Sequence, residues 1–410
     1  MNAVVLHGIG DLRLDKVPPP TADPGSVVVQ VISTPVWNYL PEIMDGRRTY
    51  PLTFPFTFGT YAVGRVHAVG PDIAYIQPGQ LVFCDAMVYL RDSPQNFLVL
   101  GYHGGYTAQE RKVSATYWRD GCFADFVRWP AENVHIVDEA LLAKNGVLPA
   151  QLAEVAAIGP AMGAANSIDV TPGETVLVMP STGFFSSSAI TAVLALGANV
   201  VAGGRSQMTL DEMHHDVFGS DPRITTVVLT GDIEKDIAAL IAATPHCRGA
   251  HAYIDFTPPM VKGADATHIV TGLKALQRGG RCCFAGVILD DVALPYKHIM
   301  DNQLMIKGAF ACHREDTAQV LRLIEGGVLK LKKQVLGPYS LDKYKETLQL
   351  AEESRGFTKM TGKVMPLDRN AYNPGILQAP LAFKMQIKVR NKAHEATILR
   401  GGSMRGRRGS

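Results

Sequence analysis

The sequence of 410 residues predicts an α/β protein in which a β-rich unit precedes a doubly wound parallel sheet. Its length exceeds what one compact core supports and suits two or three domains of roughly 100–200 residues each. Up to about Asp138, short apolar runs are separated by Gly and Pro, which is typical of a barrel or sandwich. From Glu174 onward, short apolar runs alternate with helix-like stretches, and this alternation indicates parallel strands joined by crossover helices.

The individual elements follow from this rhythm in chain order. In the first unit, strands are predicted at residues 26–33, 62–69, 80–84 and 123–129. In the second unit, six strands are predicted at residues 175–179, 199–202, 225–229, 250–256, 281–287 and 304–310, with helices among them at 187–196, 233–243 and 267–276. A last helix at 316–325 ends at Gly326 and Gly327, which suit a C-cap, and a closing strand follows at 362–367.

Composition and charge indicate which classes of protein can be excluded. The apolar content of 47% and the charged content of 19% exclude disorder for most of the chain. The longest apolar stretch, residues 192–202, is far shorter than the roughly 20 residues of a membrane span. Six cysteines form no CxxC pair and the N-terminus carries no secretion signal, so a reducing, cytoplasmic setting is expected. The net charge of +2 combines +7 in residues 384–410 with −5 elsewhere; we expect no nucleic-acid partner, and we predict a flexible basic tail at 368–410.

A candidate phosphate-binding loop follows the predicted strand at 175–179. The loop consists of Ser181, Thr182, Gly183, Phe184, Phe185 and Ser186 and leads into a helix rich in Ser and Ala. Free backbone N–H groups at such a helix N-terminus attract a pyrophosphate. Ser181, Gly183 and Ser186 stand at the three glycine positions of the usual G-x-G-x-x-G pattern, and Gly183 is where the backbone must approach phosphate. The alternative is a serine-rich turn that binds no ligand.

The end of the next strand indicates which dinucleotide such a loop would hold. NAD requires an acid there for its ribose 2′-hydroxyl, whereas the 2′-phosphate of NADP requires a cation. Arg205 follows Gly183 by 22 residues, and no acid stands beside it. Gly204 leaves room for a phosphate, Arg205 offers its guanidinium fork, and Ser206 adds a hydroxyl and a backbone donor. The sequence therefore predicts NADP as the cofactor; the alternative is that Arg205 is an ordinary surface residue.

Five phrases in order give the chain a resemblance to a known family. They are FGTYAVGRVHAVG at 58–70, PGQLV at 78–82, GCFADFV at 121–127, TPGETVLV at 171–178, and GGR at 279–281 before AG at 285–286. On these phrases, residues 1–367 resemble the medium-chain dehydrogenase/reductase superfamily. The resemblance implies a GroES-like catalytic domain at 1–154, a Rossmann NADP-binding domain at 155–312, and a return to the catalytic domain at 313–367. It also implies an active site between the domains, backbone contacts of Gly286 and Val287 with the nicotinamide end, and a homodimer, formed through an edge strand near residues 282–288.

The departures from the family pattern concern metal ligands. Zinc-dependent members carry a Cys in the segment that here is residues 35–40, and a Gly-His-Glu where this chain has Gly59, Thr60 and Tyr61. No cysteine lies between Cys84 and Cys122, where a structural zinc would need four. We therefore predict no metal site, and a zinc-independent, NADPH-dependent reduction of an activated C=C bond, as in an enone or enoyl compound, or of a quinone. The alternatives are a metal-free carbonyl reductase or alcohol dehydrogenase, and a redox-silent protein with a binding or cyclase role.

Two tyrosines are the candidate catalytic residues. Tyr61 stands where the zinc branch keeps an acid, so its phenol is expected either to donate a hydrogen bond or proton to the substrate or simply to fill the cavity. Tyr39 lies in the other vacated segment and is expected to line the pocket of a small hydrophobic, carbonyl-containing substrate. The aromatic-rich segment 87–118 is expected either to form a lid over that substrate or to pack on its own domain or at a dimer contact.

Overall fold

The structure, a computed structural model, describes residues 1–259, 265–331, 334–353 and 359–364. The predicted tail at 368–410 and the last residues of the predicted closing strand lie outside the described residues. The division at residues 154, 312 and 367 stays a prediction. None of the described helices is both long and apolar enough to cross a membrane.

Ten strands and three helices form the first part of the chain. The strands are β1 (Asn2–Gly8), β2 (Asp11–Lys16), β3 (Ser26–Val36), β4 (Phe56–Thr57), β5 (Ala62–Val69), β6 (Leu81–Cys84), β7 (Met87–Leu90), β8 (Ser93–Val99), β9 (Phe126–Pro130) and β10 (Val134–Ile136). The helices are α1 (Leu40–Met44), α2 (Ala108–Thr116) and α3 (Glu139–Lys144).

The second part alternates strands and helices. In order these are α4 (Val155–Ser167), β11 (Thr175–Met179), α5 (Phe184–Ala195), β12 (Asn199–Gly204), α6 (Gln207–Glu212), β13 (Ile224–Val228), α7 (Ile233–Ala242), β14 (Ala250–Asp255), α8 (Thr267–Lys274), β15 (Leu276–Phe284), α9 (Tyr296–Asp301) and β16 (Met305–Gly308). The chain closes with α10 (Arg314–Glu325), β17 (Gln334–Tyr339), α11 (Tyr344–Glu353) and β18 (Lys359–Val364).

The first unit is built around β3, which pairs with three other strands. Strands β5, β9 and β18 all pair antiparallel with it, and the main sheet runs β10-β6-β5-β3-β18-β17. Strand β18 is the predicted closing strand, and its pairing of Gly362 with Pro35 returns the end of the described chain to the first unit. Smaller sheets are formed by β2-β1-β4 and by the hairpin β7-β8.

The second unit is a six-stranded parallel sheet in the order β13-β12-β11-β14-β15-β16. Every residue of β11 is buried, as expected for a strand covered on both faces. From β11 the chain adds β12 and β13 on one side and then adds β14, β15 and β16 on the other side. The order in which strands are added therefore reverses between β11 and β14, while all strands stay parallel. A crevice at the carboxyl ends of the strands is expected at this switch point. The predicted α/β class, a GroES-like unit followed by a doubly wound parallel sheet, is confirmed.

Two predicted boundaries differ in ways that matter for the site. Helix α5 begins at Phe184, three residues before the predicted start, because Gly183 already acts as its extended N-cap. The proposed edge strand near residues 282–288 is wrong: β15 lies between β14 and β16, so the strand at that edge of the described sheet is β16. After β15, the N–H groups of residues 285 and 287 bond to the backbone of Asp255 and Thr257, so this segment continues alongside the end of β14.

Candidate active site

The predicted phosphate loop lies at the switch point, between the end of β11 and the start of α5. Gly183 caps this 12-residue helix without a side-chain hydrogen bond to its first turn. Ser181 and Ser186 are buried, and their hydroxyl oxygens have no hydrogen-bond partner in the part of the chain that the structure describes. An anion suits this position, because the buried hydroxyls and the backbone N–H groups of a helix N-terminus without a side-chain cap can all donate hydrogen bonds to it. These residues therefore fit the pyrophosphate of a dinucleotide in their chemistry; Thr182 is half-buried beside them.

The end of β12 places the residues predicted to read the ribose. Gly204 is buried, and a Cβ added there would lie 3.0 Å from Leu210, whereas Arg205 and Ser206 are exposed. Arg205 forms no ion pair with any described residue, so its guanidinium is available to a phosphate. Ser206 differs from the expectation, because its hydroxyl already accepts the N–H of Thr209 and caps α6.

A largely buried polar network that the sequence analysis missed joins the carboxyl end of β14 to α8. The Thr257 hydroxyl contacts the Asp255 carboxylate and lies 2.6 Å from His268 Nε2. Gly286 packs on this network: a Cβ there would lie 2.3 Å from the backbone nitrogen of Thr257. Val287 donates its N–H to the Thr257 carbonyl at 2.8 Å, so that N–H is not available to a nicotinamide carboxamide. The Asp-x-Thr triplet at the end of a predicted strand was the one signal of this network.

Aromatic side chains from the first unit face the phosphate loop. The Trp37 ring lies 5.6 Å from the Phe184 ring and 5.5 Å from the Phe185 ring, measured between centroids. Phe184 and Phe185 are themselves 5.5 Å apart, edge to face, and Phe185 stacks toward Phe256 at 6.4 Å. The two units therefore meet through rings at the first turn of α5.

The two candidate tyrosines lie on the first-unit side of this contact. Tyr61 is buried, and its ring stands edge-on to Trp37 at 6.4 Å. Burial raises the pKa of Tyr61 well above its ordinary value, with Cys312 and Asp85 adding to the effect, so the phenol remains a hydrogen-bond donor at neutral pH. Tyr39 runs parallel to Trp37 at 6.4 Å, and burial likewise raises its pKa. The structure thus brings Tyr61 and Tyr39 to the same ring cluster as the phosphate loop.

Comparison with known proteins shows what the chain is similar to. Residues 23–139 match the model of the alcohol dehydrogenase GroES-like domain. Rat sorbitol dehydrogenase is 24% identical over 378 residues, which cover 90% of this chain and 97% of the relative.

Solved structures share the whole described fold. An Escherichia coli CFT073 alcohol dehydrogenase in complex with NADH has a TM-score of 0.70 at 16% identity and covers 89% of this chain and 99% of its own. A putative zinc-binding dehydrogenase from Sinorhizobium meliloti 1021 bound to NADP has a TM-score of 0.68 at 18% identity and covers 88% and 98%. The chain shares the fold of these dehydrogenases, and its membership of the medium-chain dehydrogenase/reductase superfamily stays a prediction. At these identities the solved structures show the fold, not the cofactor or substrate of this chain.

A zinc ion does not fit the residues that this chain places beside the crevice. Trp37 Nε1 donates to the Thr60 hydroxyl at 3.1 Å, so the two segments that were expected to lack ligands are joined directly to each other. Neither side chain is a zinc ligand of the usual kind, which is a thiolate, imidazole or carboxylate. In the described residues, no three His, Cys, Asp or Glu side chains are grouped so that they could hold a metal ion. Zinc independence stays a prediction for this chain.

Segment 87–118 contains the β7-β8 hairpin and α2. Thr107 and Glu110 form a capping box at the start of α2. The hairpin packs against residues that follow the parallel sheet: Phe97 stacks on Phe310 at 5.1 Å, and the Tyr89 hydroxyl donates to the Cys312 carbonyl at 3.3 Å. The segment therefore contacts residues of the predicted Rossmann domain and does not pack on the first unit alone, while its role as a lid stays a prediction.

Beneath this segment lies a buried carboxyl group that sequence reasoning missed. Asp85 is fully buried and accepts hydrogen bonds from the Thr317 hydroxyl at 2.5 Å and from the Met87 N–H at 2.9 Å. Burial raises the pKa of Asp85 to about 6, although both hydrogen bonds act in the opposite direction. Asp85 therefore joins the first unit to α10 while titrating near neutral pH. A single Asp after a strand carries no pattern that would have revealed this.

Proposed function

We propose that this chain is a zinc-independent oxidoreductase that uses NADPH to reduce an activated C=C bond, as in an enone or enoyl compound, or a quinone. The observation that carries the proposal is the hydrogen bond between Trp37 and Thr60, because it joins the two segments where zinc ligands were expected through side chains that do not usually bind a Lewis-acid metal. Without a metal, a carbonyl oxygen is polarised only by hydrogen bonds. Acceptors whose negative charge spreads into an enolate or hydroquinone suit such a site best.

The cofactor would be held by groups already identified on the second unit. Ser181 and Ser186 offer buried hydroxyls and the first turn of α5 offers backbone N–H groups to the pyrophosphate. Arg205 would bind the 2′-phosphate through its guanidinium group, which has no ion-pair partner among the described residues. When bound, NADPH supplies the hydride. One similar structure binds NADH and another binds NADP, so this fold accommodates either cofactor. The proposed preference for NADPH therefore depends on Arg205.

Tyr61 is the residue we assign to the substrate oxygen. Its raised pKa keeps the phenol protonated, so it donates a hydrogen bond to an oxygen on which negative charge develops. Tyr39 and Trp37 supply flat apolar walls, which suit a small hydrophobic substrate carrying a carbonyl group. Tyr39 is placed as a wall because its ring lies parallel to that of Trp37 at 6.4 Å, with the Arg48 guanidinium over it at 4.5 Å.

The cofactor assignment is tested by fluorescence titration with NADPH and NADH. Arg205→Ala should weaken NADPH binding by about 1–3 kcal/mol, the value of a charge-assisted contact, and leave NADH binding almost unchanged. Arg248→Ala is a matched control, since Arg248 is also exposed but precedes β14 and so lies at the amino ends of the parallel strands. Equal losses for both cofactors would reject recognition of the 2′-phosphate by Arg205.

A second candidate function is metal-free carbonyl reduction or alcohol oxidation. It is favoured by the relatives, which include sorbitol and alcohol dehydrogenases. A panel of enones, quinones, ketones and alcohols, assayed by the change in NADPH absorbance, separates the two. Turnover restricted to ketones and alcohols would replace the main proposal by this one.

A third candidate is a redox-silent protein with a binding or cyclase role. The contact of Phe184 and Phe185 with Trp37 favours it, because rings stand where the pyrophosphate would approach α5. Failure of both NADPH and NADH to bind the purified chain at millimolar concentration would support this candidate over the other two.

We also propose a homodimer formed through β16, the strand at the described sheet edge. An unpaired edge presents free N–H and C=O groups to a second copy. Leu289 and Tyr296, which are each 81% exposed, lie in the segment between β15 and β16 and add apolar surface. Light scattering on the purified chain should give twice the mass of 44.3 kDa, and Ile306→Pro should reduce it to one chain. A wild-type mass of one chain would reject the dimer.

A further inference from the structure

The two units make contact through rings at the first turn of α5, where the proposed pyrophosphate site begins. Phe184 and Phe185 are the first two residues of the helix, and both contact Trp37. Phosphate groups bind at helix N-termini, which is where these two residues lie. The rings that close the contact are thus carried by the same residues that would bind phosphate.

Trp37 is held rigidly on the opposite side of this contact. It is only 4% exposed, its Nε1 donates to the Thr60 hydroxyl at 3.1 Å, and Tyr61 stands edge-on to it. The Thr60 carbonyl in turn accepts a hydrogen bond from the buried Cys122 thiol. Because Trp37 is fixed from its own unit, the contact opens only when the Phe rings turn away or the units separate.

We propose that Trp37, Phe184 and Phe185 form an aromatic latch that closes the crevice, and that NADPH binds only after the latch opens. This inference rests on the proposed function, since it concerns access to the same site. Each ring pair at 5.5–5.6 Å is in the range of favourable aromatic contacts. The closed state is therefore populated in the free protein, and the rate of cofactor binding is limited by the fraction of open molecules.

The kinetic test is stopped-flow binding of NADPH to the full chain, followed by NADPH fluorescence. For the wild type, the observed rate should level off as NADPH concentration rises, because opening becomes limiting. For the double variant Phe184→Ala, Phe185→Ala, the observed rate should rise linearly with NADPH concentration. At an NADPH concentration where the wild-type rate has levelled off, it should exceed the wild-type rate by about tenfold, as expected for two lost ring pairs. Phe185→Leu, which keeps apolar volume, replaces the double variant if that variant does not fold.

Phe97→Leu is the matched control, because the Phe97–Phe310 pair at 5.1 Å is also a ring contact between the two units but lies away from α5. It should keep the wild-type plateau. A wild-type rate that is linear in NADPH concentration, with the same slope in the double variant, would overturn the latch. A plateau that Phe97→Leu raises as much as the double variant would also overturn it.

A measurement without cofactor separates failure of the latch from failure of the proposed function. Trp37 is one of three tryptophans, and another, Trp129, is fully buried. Loss of the two Phe rings should make one further tryptophan accessible to acrylamide quenching, whereas Phe97→Leu should not. If no variant binds NADPH but quenching increases as expected, the proposed function fails and with it the gating of NADPH, while the closed ring contact is confirmed. If quenching is the same in the wild type and the double variant, the latch is rejected.

Discussion

Replacing Asp85 by Asn tests whether a buried, titrating carboxyl group sits between the first unit and α10. The ordinary pKa of an aspartate is 3.8, and burial raises that of Asp85 to about 6. Between these pH values the folded chain binds a proton that the unfolded chain does not, so the free energy of unfolding falls as pH rises. The difference between these two pKa values contributes about 3 kcal/mol to the free energy of unfolding at low pH. About 2 kcal/mol of this contribution is lost as the pH rises above 4.5.

The Asn side chain keeps the geometry but cannot ionise. Its oxygen can accept the Met87 N–H, and its amide can donate to the Thr317 hydroxyl, which replaces the present bond with the donor reversed. We expect the unfolding free energy of Asp85→Asn, relative to wild type, to rise by about 2 kcal/mol between pH 4.5 and 7.5. Urea unfolding followed by circular dichroism over this range measures the difference.

Glu174→Gln is the control with the opposite sign. Burial raises the pKa of Glu174, but hydrogen bonds from Arg281, at 2.6 Å, and from the Thr171 N–H outweigh burial, so the pKa is lowered. Its stabilising effect is present above the ordinary pKa of 4.5 and is lost as pH falls through the folded value. This variant should therefore be less stable by a nearly constant amount from pH 5.5 to 7.5. Parallel stability curves for wild type and Asp85→Asn would refute the reasoning about Asp85.

Three further predictions concern the crevice. Tyr61→Phe should lower kcat by about 100-fold without changing NADPH affinity, because it removes the donor to the substrate oxygen; unchanged kcat in steady-state assays would leave Tyr61 with cavity filling alone. Gly286→Ala should destabilise the fold by roughly 1–3 kcal/mol, since its Cβ would lie 2.3 Å from the Thr257 nitrogen; an unchanged thermal midpoint would contradict this close packing. Dialysis against EDTA should leave activity intact, and a loss that zinc restores would refute the metal-free site.

The secondary structure was predictable because its causes are local. The apolar run of β11 predicts a strand, and the small residues after it predict a turn and the start of a helix. The predicted start of α5 differs from the observed one by only three residues. Strand β15 was misjudged as an edge because pairing depends on where residues 305–308 lie, which no local pattern specifies. Such order within a sheet is decided by tertiary packing.

The candidate site divides in the same way. The loop from Ser181 to Ser186 and the arginine after β12 were identifiable from the sequence, since strand, turn and helix bring their backbone to one edge of the sheet. The contact of Trp37 with Phe185, and the burial of Asp85 against Thr317, join residues separated by well over a hundred positions. Local pattern determined the elements and the candidate phosphate loop. Only the packing of the two units decided which rings close the crevice and which carboxyl group loses its water, because such contacts depend on distance in space and not along the chain.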